Sequence, residues 1–421
     1  MRGERILLIS CAVVAVVSAR PFAGSWNDAS RLATAESLVN RGTLQIDHSI
    51  FVDPPKPDGL IPLPYPAHRT DLLTTGTQDK LFIRGHYYSD KTPLPSIYLA
   101  AVYRCWTWLG GSTFAERPDW CCRVLTWSSS GLAFVLAVWG VLRLGKIFGL
   151  SDRLSLELGL AFAGGTIAVG YAGTVNAHII QLSAASWIFV GLLEVSYGSR
   201  SYWRFIGIGT LVGVAYAADT SAGPTLLCAT MLAILVTTRS ARHTIVVIFA
   251  CGPWLIAHHA VNFWIGGSLA PANANPAYFH WDGSPFAAGA ITGRWQHATP
   301  IHFIRYSGDI LFGKQGFLLH NPSILFATVL AWPVLKQAKH ERWVLLAALF
   351  WCRPHQRDVG IVNHQVPAAK LRRHSVERPK IDHVERAERA DIGNRVADEG
   401  AEPVLRRGDC LLYTSPSPRD S

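Results

Sequence analysis

Charged residues are scarce in this 421-residue chain: Asp, Glu, Lys and Arg make up 16% of it, whereas 49% is hydrophobic and the mean hydropathy is +0.20. Several enzyme motifs are also missing, namely the GxxxxGK(S/T) phosphate loop, GxSxG, HExxH and a GxGxxG that follows a strand. The eight cysteines show neither CxxC nor Cys/His ligand spacing. These absences argue against a nucleotide-binding fold, a zinc site and a disulfide framework.

Aromatic residues are absent from residues 353–409. Residues 353–409 hold twelve Lys/Arg and ten Asp/Glu without one Phe, Trp or Tyr, whereas all 15 tryptophans lie earlier. The change falls inside the apolar run 343–352, which is too short for a bilayer that needs about 20 residues. We interpret 353–409 as wrong-frame or chimaeric sequence or, alternatively, as a charged, disordered cytoplasmic tail. Residues 410–421 resemble a translated sequencing-library adaptor.

Residues 1–352 have the pattern of an all-α, polytopic transmembrane helical bundle. Spans are predicted at 6–22, 124–142, 155–174, 177–197, 204–219, 223–238, 244–265 and 317–335, with an incomplete one from 343. Basic residues between spans mark the cytoplasmic loops, so the net charge of +10 does not indicate a nucleic-acid partner.

One apolar run, 93–110, is predicted not to cross. If it crossed, every later basic loop would face outward, and Arg104 lies in the middle of the run among aromatic residues, which favours an interfacial or re-entrant helix. Two large extracytoplasmic loops, about 23–123 and 266–316, therefore share one face. Both are rich in Pro, Gly and aromatic residues, and we expect ordered but irregular structure there.

Asp28 and Arg31 lie soon after the first predicted span. Asn27 or Asp28 can cap a helix. A partly dehydrated carboxylate near a cation also suits a general base that acts on a hydroxyl group. Arg31, one turn away, either supports that role or forms only an i, i+3 ion pair.

Asp90 and Lys91 precede the interfacial run. A lysine at the level of the lipid headgroups is well placed to meet a lipid phosphate. Ordinary snorkelling of its side chain to the membrane surface is the alternative.

These segments resemble motifs of the GT-C type membrane glycosyltransferases, in particular the protein mannosyltransferase and aminoarabinose transferase branch. That family has a D-E-x-R-Y-A pattern after the first span and a later K-P-P-L. Residues 28–33, DASRLA, match its Asp, Arg and Ala, and residues 91–94, KTPL, match three of four positions. Ala29 and Thr92 are departures. Weaker similarity extends over most of residues 1–350.

The resemblance implies a multi-pass protein of the plasma (inner) membrane that transfers a sugar from a polyprenyl-phosphate donor to a hydroxyl of a lipid, glycan or protein at the extracytoplasmic face of the cell envelope. In this interpretation Asp28 is the base and Lys91 contacts the donor phosphate. The other predicted substrate-binding residues are Arg31, Asp90, Asn176, His178, Asp219 and Lys314.

Alternatives remain at several of these positions. Asn176, His178 and Asp219 are predicted at outer turns between spans, where they bind substrate or cap helices. His258 and His259 are assigned to hydrogen bonds across helices, with a role in the site as the alternative. No metal ligands or cofactor are assigned, and metal dependence is left open. A transporter or lipid-carrier flippase is the rival function, although repeated halves and midplane sites typical of transporters are not evident.

Overall fold

The computed structural model describes residues 2–286, 299–313 and 341–358, all within one compact unit, Met1–Ile361, and most of them are helical. The helices are α1 (Arg2–Ser18), α2 (Trp26–Arg41), α3 (Thr70–Thr75), α4 (Pro93–Trp108), α5 (Pro118–Thr126), α6 (Leu132–Ile147), α7 (Asp152–Gly165), α8 (Ala168–Ala172), α9 (Ala177–Ser196), α10 (Tyr202–Ala218), α11 (Gly223–Thr238), α12 (Ala241–Gly266), α13 (Pro300–Phe312) and α14 (Arg342–Asp358).

Three of the described helices are long and apolar enough to cross a membrane: Pro118–Ile147, α9 and α12. The first joins α5 and α6 through a turn of π-helix, Trp127–Gly131. In the most apolar window of α9, 72% is buried, against 17% in α12, whose exposed side chains include Phe249 and Ile256. So much exposed apolar surface is costly in water, which favours membrane association.

The predicted spans correspond to described helices with one correction. Segment 155–174 is not one helix, because α7 ends at Gly165 and α8 begins at Ala168. Two consecutive glycines followed by a β-branched threonine are poor helix formers, which accounts for the break. The predicted span 317–335 lies outside the described residues.

Residues 19–117, which we call the first loop region, fold around an apolar core of their own. Phe51 packs edge-on against Tyr65 and Phe114, and α4 packs along α2. The region is therefore ordered, as expected, and only part of it is irregular, since it also contains α2, α3, α4 and two short strands. The interfacial run 93–110 is the 16-residue helix α4 and is not among the candidate spans.

A short antiparallel hairpin lies within a described chain that is otherwise mostly helical, in agreement with the all-α prediction. Strands β1 (Lys80–Ile83) and β2 (His86–Ser89) are joined by Arg84 and Gly85, whose φ angles are 53° and 85°. Two consecutive positive φ angles give the turn the twist that a two-residue hairpin loop requires.

The first loop region meets the bundle at one end. Thr92 Oγ1 donates a hydrogen bond of 2.7 Å to Ala218 O at the end of α10. Asn273, from the second loop region (267–286) that follows α12, donates 2.9 Å from Nδ2 to Asp90 O. The starts of α2 and α4 and the ends of α10 and α12 are thereby brought together.

Candidate functional site

The hairpin places two acidic residues next to each other. Lys80 pairs with Ser89 at its open end. Asp79 immediately precedes β1 and Asp90 immediately follows β2, so the two carboxylates lie side by side. Lys91 Nζ lies 2.8 Å from Asp79 Oδ2 and 2.9 Å from Asp90 Oδ2. The result is an ammonium group held between two carboxylates.

This ion cluster is largely buried, with 17% of the Lys91 side chain and 11% of the Asp90 side chain exposed. Burial lowers the pKa of Lys91, but the two carboxylates outweigh burial and leave that pKa raised. Burial raises the pKa of Asp90, although Lys91 opposes this shift. Asp90 Oδ1 has no hydrogen-bond partner among the described residues. Lys91 is therefore a stable cation, and Asp90 offers an unused acceptor.

Hydroxyl groups fix the hairpin to α2. Ser30 Oγ donates 2.5 Å to Asp79 O and lies 2.7 Å from Ser89 Oγ. Thr77 Oγ1 donates 2.8 Å to Trp26 O at the start of α2. Residues on the first turns of α2 are thus held at a set position relative to the ion cluster.

Ser25, rather than the predicted Asn27 or Asp28, is the N-cap of α2, and Asp28 is the third residue of the helix, where it completes a capping box with Ser25. Its Oδ1 accepts hydrogen bonds from Ser25 N (2.8 Å) and Ser25 Oγ (2.7 Å), and its Oδ2 accepts one from Gly24 N (2.8 Å). Burial raises the pKa of Asp28, while these hydrogen bonds oppose the shift. Oδ2 keeps an unused lone pair. The role as a base stays a prediction.

Arg31 is buried on α2, 6% exposed, and does not form the predicted ion pair with Asp28 within the described part of the chain. Its Nη1 donates 3.2 Å to Asn27 O and also contacts Asn27 Oδ1. Its Nε has no partner among the described residues. Burial lowers the pKa of Arg31, and nearby carboxylates oppose the shift, in decreasing order Asp90, Asp219, Asp79 and Asp28. The guanidinium of Arg31 thus lies near the predicted site residues Asp28, Asp90 and Asp219.

The predicted outer-turn residues form a second, adjacent group. Asn176 caps α9, since its Oδ1 accepts 2.7 Å from His178 N. His178 Nδ1 lies 3.1 Å from Asp219 Oδ2 at the end of α10. Burial raises the pKa of Asp219, but His178 and hydrogen bonds from Ser221 outweigh burial and leave the pKa lowered. The cap role of Asn176 is confirmed, and its role in substrate binding stays a prediction.

The two histidines of α12 differ from each other. His259 bonds across helices as predicted, with Nε2 3.0 Å from Tyr216 Oη on α10. His258 instead contacts Asn262 Nδ2 of its own helix, 3.1 Å from its Nε2. The prediction was therefore wrong for His258, because its ring nitrogen faces a residue one turn ahead rather than a neighbouring helix.

Asp79 is the site residue that sequence reasoning missed. Its position depends on the hairpin register, and the only local signal was the Arg-Gly pair between two short β-rich runs. Lys314 lies outside the described residues. No group of three or more His, Cys, Asp or Glu suited to a metal ion occurs in the described ranges.

Comparison with family models, curated proteins and solved structures found no match for this chain.

Proposed function

We propose that this protein is a polytopic membrane glycosyltransferase of GT-C-like architecture that transfers a sugar from a polyprenyl-phosphate donor to an acceptor hydroxyl at the extracytoplasmic face of the plasma membrane. The observation that carries the proposal is the gathering of Asp28, Arg31 and the Asp79–Lys91–Asp90 cluster at one end of the apolar helices. Charged groups near a bilayer are energetically costly, so their presence there makes them candidates for a functional site.

Lys91 and Arg31 are suited to receive the donor phosphate. An ammonium group has three donors, and Lys91 contacts two carboxylate oxygens among the described residues. The guanidinium of Arg31 keeps Nε without a partner among the described residues. Both cations can therefore add a phosphate contact and stabilise the charge that develops as the sugar leaves.

Asp28 is the base that the family resemblance implies. The acceptor oxygen attacks the anomeric carbon, the bond from that carbon to the phosphate oxygen breaks, and the acceptor proton passes to a carboxylate. Asp28 suits this step because its pKa is raised and one lone pair of Oδ2 is unused.

Transfer of radiolabel tests the proposal. Membranes that contain the full chain receive polyprenyl-phosphate sugars labelled in the sugar, and we expect label to appear in a non-donor product. Asp28→Asn should reduce transfer at least about 100-fold if Asp28 is the base. The control is Asp58→Asn, an exposed aspartate in the same loop region whose carboxylate accepts from Leu60 N.

Two other results would contradict the proposal. Label that crosses the membrane while it remains on the donor would identify a flippase. A reporter fused after Leu109 tests the orientation separately, since an extracytoplasmic signal is expected and a cytoplasmic signal would place the ion cluster on the wrong side.

A further inference from the structure

A small pocket joins the ion cluster to α12 and the second loop region. Residues that line it include Asp90, Lys91, His258, Asn262 and Ala272. His258 is fully buried. Two buried polar atoms of the lining residues have no hydrogen-bond partner among the described residues. They are Asp90 Oδ1 and His258 Nδ1. Such atoms are rare in native proteins and call for an explanation.

The hydrogen bonds of Asn262 determine the tautomer of His258. Ala272 N donates 3.0 Å to Asn262 Oδ1, which fixes the orientation of the amide. Asn262 Nδ2 then donates to His258 O (2.9 Å) and to His258 Nε2 (3.1 Å). Since Nε2 accepts, the ring is neutral and its proton is on Nδ1. The unpartnered Nδ1 is therefore a donor.

Two residues that line this small pocket thus carry one unused donor, His258 Nδ1, and one unused acceptor, Asp90 Oδ1, both of them buried. Asp90 Oδ1 accepts, and its neighbouring oxygen Oδ2 is already bound to Lys91. A hydroxyl group both donates and accepts. It complements this pair, whereas a phosphate oxygen or a carboxylate would meet the charge of Asp90.

We propose that Asp90 and His258 form a hydroxyl-binding subsite for a sugar-class ligand, in which the hydroxyl accepts from His258 Nδ1 and donates to Asp90 Oδ1. The inference rests on the proposed function for its ligand class. The hydroxyl belongs either to the sugar of the donor or to the acceptor, and both have the same recognition chemistry. Asn262 is a positioning residue, since it acts through the tautomer of His258.

Ligand-induced thermal shifts test the subsite without requiring transfer. The probes are polyprenyl phosphate and polyprenyl-phosphate mannose, glucose and galactose, added to the full-length protein in detergent. We expect at least one sugar-bearing lipid to raise Tm more than polyprenyl phosphate does. His258→Phe should remove this extra shift and keep the shift from polyprenyl phosphate.

His259→Phe is the matched control. His259 is the adjacent residue of α12, both of its ring nitrogens have partners, Tyr216 Oη and Leu269 O, and it does not line the pocket. We expect it to retain the extra shift. Without ligand, His258→Phe removes the unpartnered Nδ1 donor but leaves one N–H of Asn262 without its acceptor, so its Tm should stay close to that of the wild type.

Kinetic measurements locate the hydroxyl. If the donor carries the hydroxyl, His258→Phe raises KM for the donor about tenfold. If the acceptor carries the hydroxyl, KM for the acceptor rises instead. In that second case the extra increase in Tm appears with an acceptor glycoside rather than with the donor. An unchanged KM for both substrates, together with equal shifts for His258→Phe and wild type, would overturn the subsite. Absence of transfer in the wild type with a sugar-specific shift would refute only the proposed function.

Discussion

The first loop region and the helical bundle bury different kinds of residues. Five acidic or basic side chains are buried among the described residues. Four of them belong to the first loop region, namely Asp28, Arg31, Glu36 and Lys80, and the fifth, His258, belongs to the bundle. The bundle buries mainly small and aliphatic side chains from α9 to α12. Close packing stabilises the bundle, whereas the first loop region contains buried charged groups, which are energetically costly. Such groups are expected at sites of binding or chemistry.

Neutralising Lys91 should give the largest effect. Lys91→Met leaves Asp79 and Asp90 buried without their cation and should reduce the free energy of unfolding by about 3 kcal/mol. The triple variant Asp79→Asn/Asp90→Asn/Lys91→Met removes all three charges and should recover most of that loss. Denaturation in detergent measures both variants. Equal destabilisation in the two would show that the charges are not coupled.

A substitution in the bundle should act through packing instead. A Cβ at Gly209 of α10 would lie 2.5 Å from Val247 O and 2.7 Å from Ala250 Cβ on α12. Gly209→Leu should therefore lower stability by about 2 kcal/mol. A Cβ at Gly207, on the same helix, would meet no atom within 4 Å, and Gly207→Leu should be nearly neutral. Similar melting temperatures for the two variants would contradict this close contact.

The cap of α2 should contribute less. In Asp28→Asn, the Nδ2 group that replaces Oδ2 cannot accept the hydrogen bond from Gly24 N, so we expect a loss of about 1 kcal/mol. A loss of stability this small leaves the protein folded, so a large loss of transfer in the same variant would reflect chemistry. Unfolding of Asp28→Asn under assay conditions would contradict this separation.

Lys80 should give an effect of a different kind, visible only as a dependence on pH. Burial lowers its pKa to about 8, and its ammonium lies 4.6 Å and 4.7 Å from the ring centroids of Tyr87 and Trp281. Below about pH 8 both folded and unfolded states carry the proton, and the penalty of burying charge is fully present. Between about pH 8 and 10 the folded state releases the proton of Lys80 while the unfolded state keeps it, so the free energy of unfolding rises with pH.

The control for this pH effect is Lys80→Met, which cannot titrate. The stability of the wild type relative to Lys80→Met should increase from about pH 7.5 to 9.5, as measured by denaturant unfolding. A constant difference across this range would show that the pKa of Lys80 is not lowered in the folded protein.

Sequence reasoning predicted the bundle better than the site. The bounds of α9, α11 and α12 agree with the predicted spans to within a few residues, because long apolar runs ended by polar residues identify such helices directly. The neighbourhood of Asp28 and Lys91 was expected only from a family resemblance. Asp79 depended on strand register, and the subsite at His258 depended on a hydrogen bond from Asn262, neither of which leaves a periodic signal.

The most direct test of the account is transfer of labelled sugar from polyprenyl-phosphate donors by the triple variant Asp79→Asn/Asp90→Asn/Lys91→Met. The variant is expected to fold, because the three charges of the cluster are removed together and Arg31 keeps Asp219 and Asp28 as nearby carboxylates. If Lys91 of the cluster contacts the donor phosphate, transfer should fall at least about 100-fold relative to the wild type. Transfer at the wild-type rate by the folded variant would contradict the central claim that this cluster is the active site.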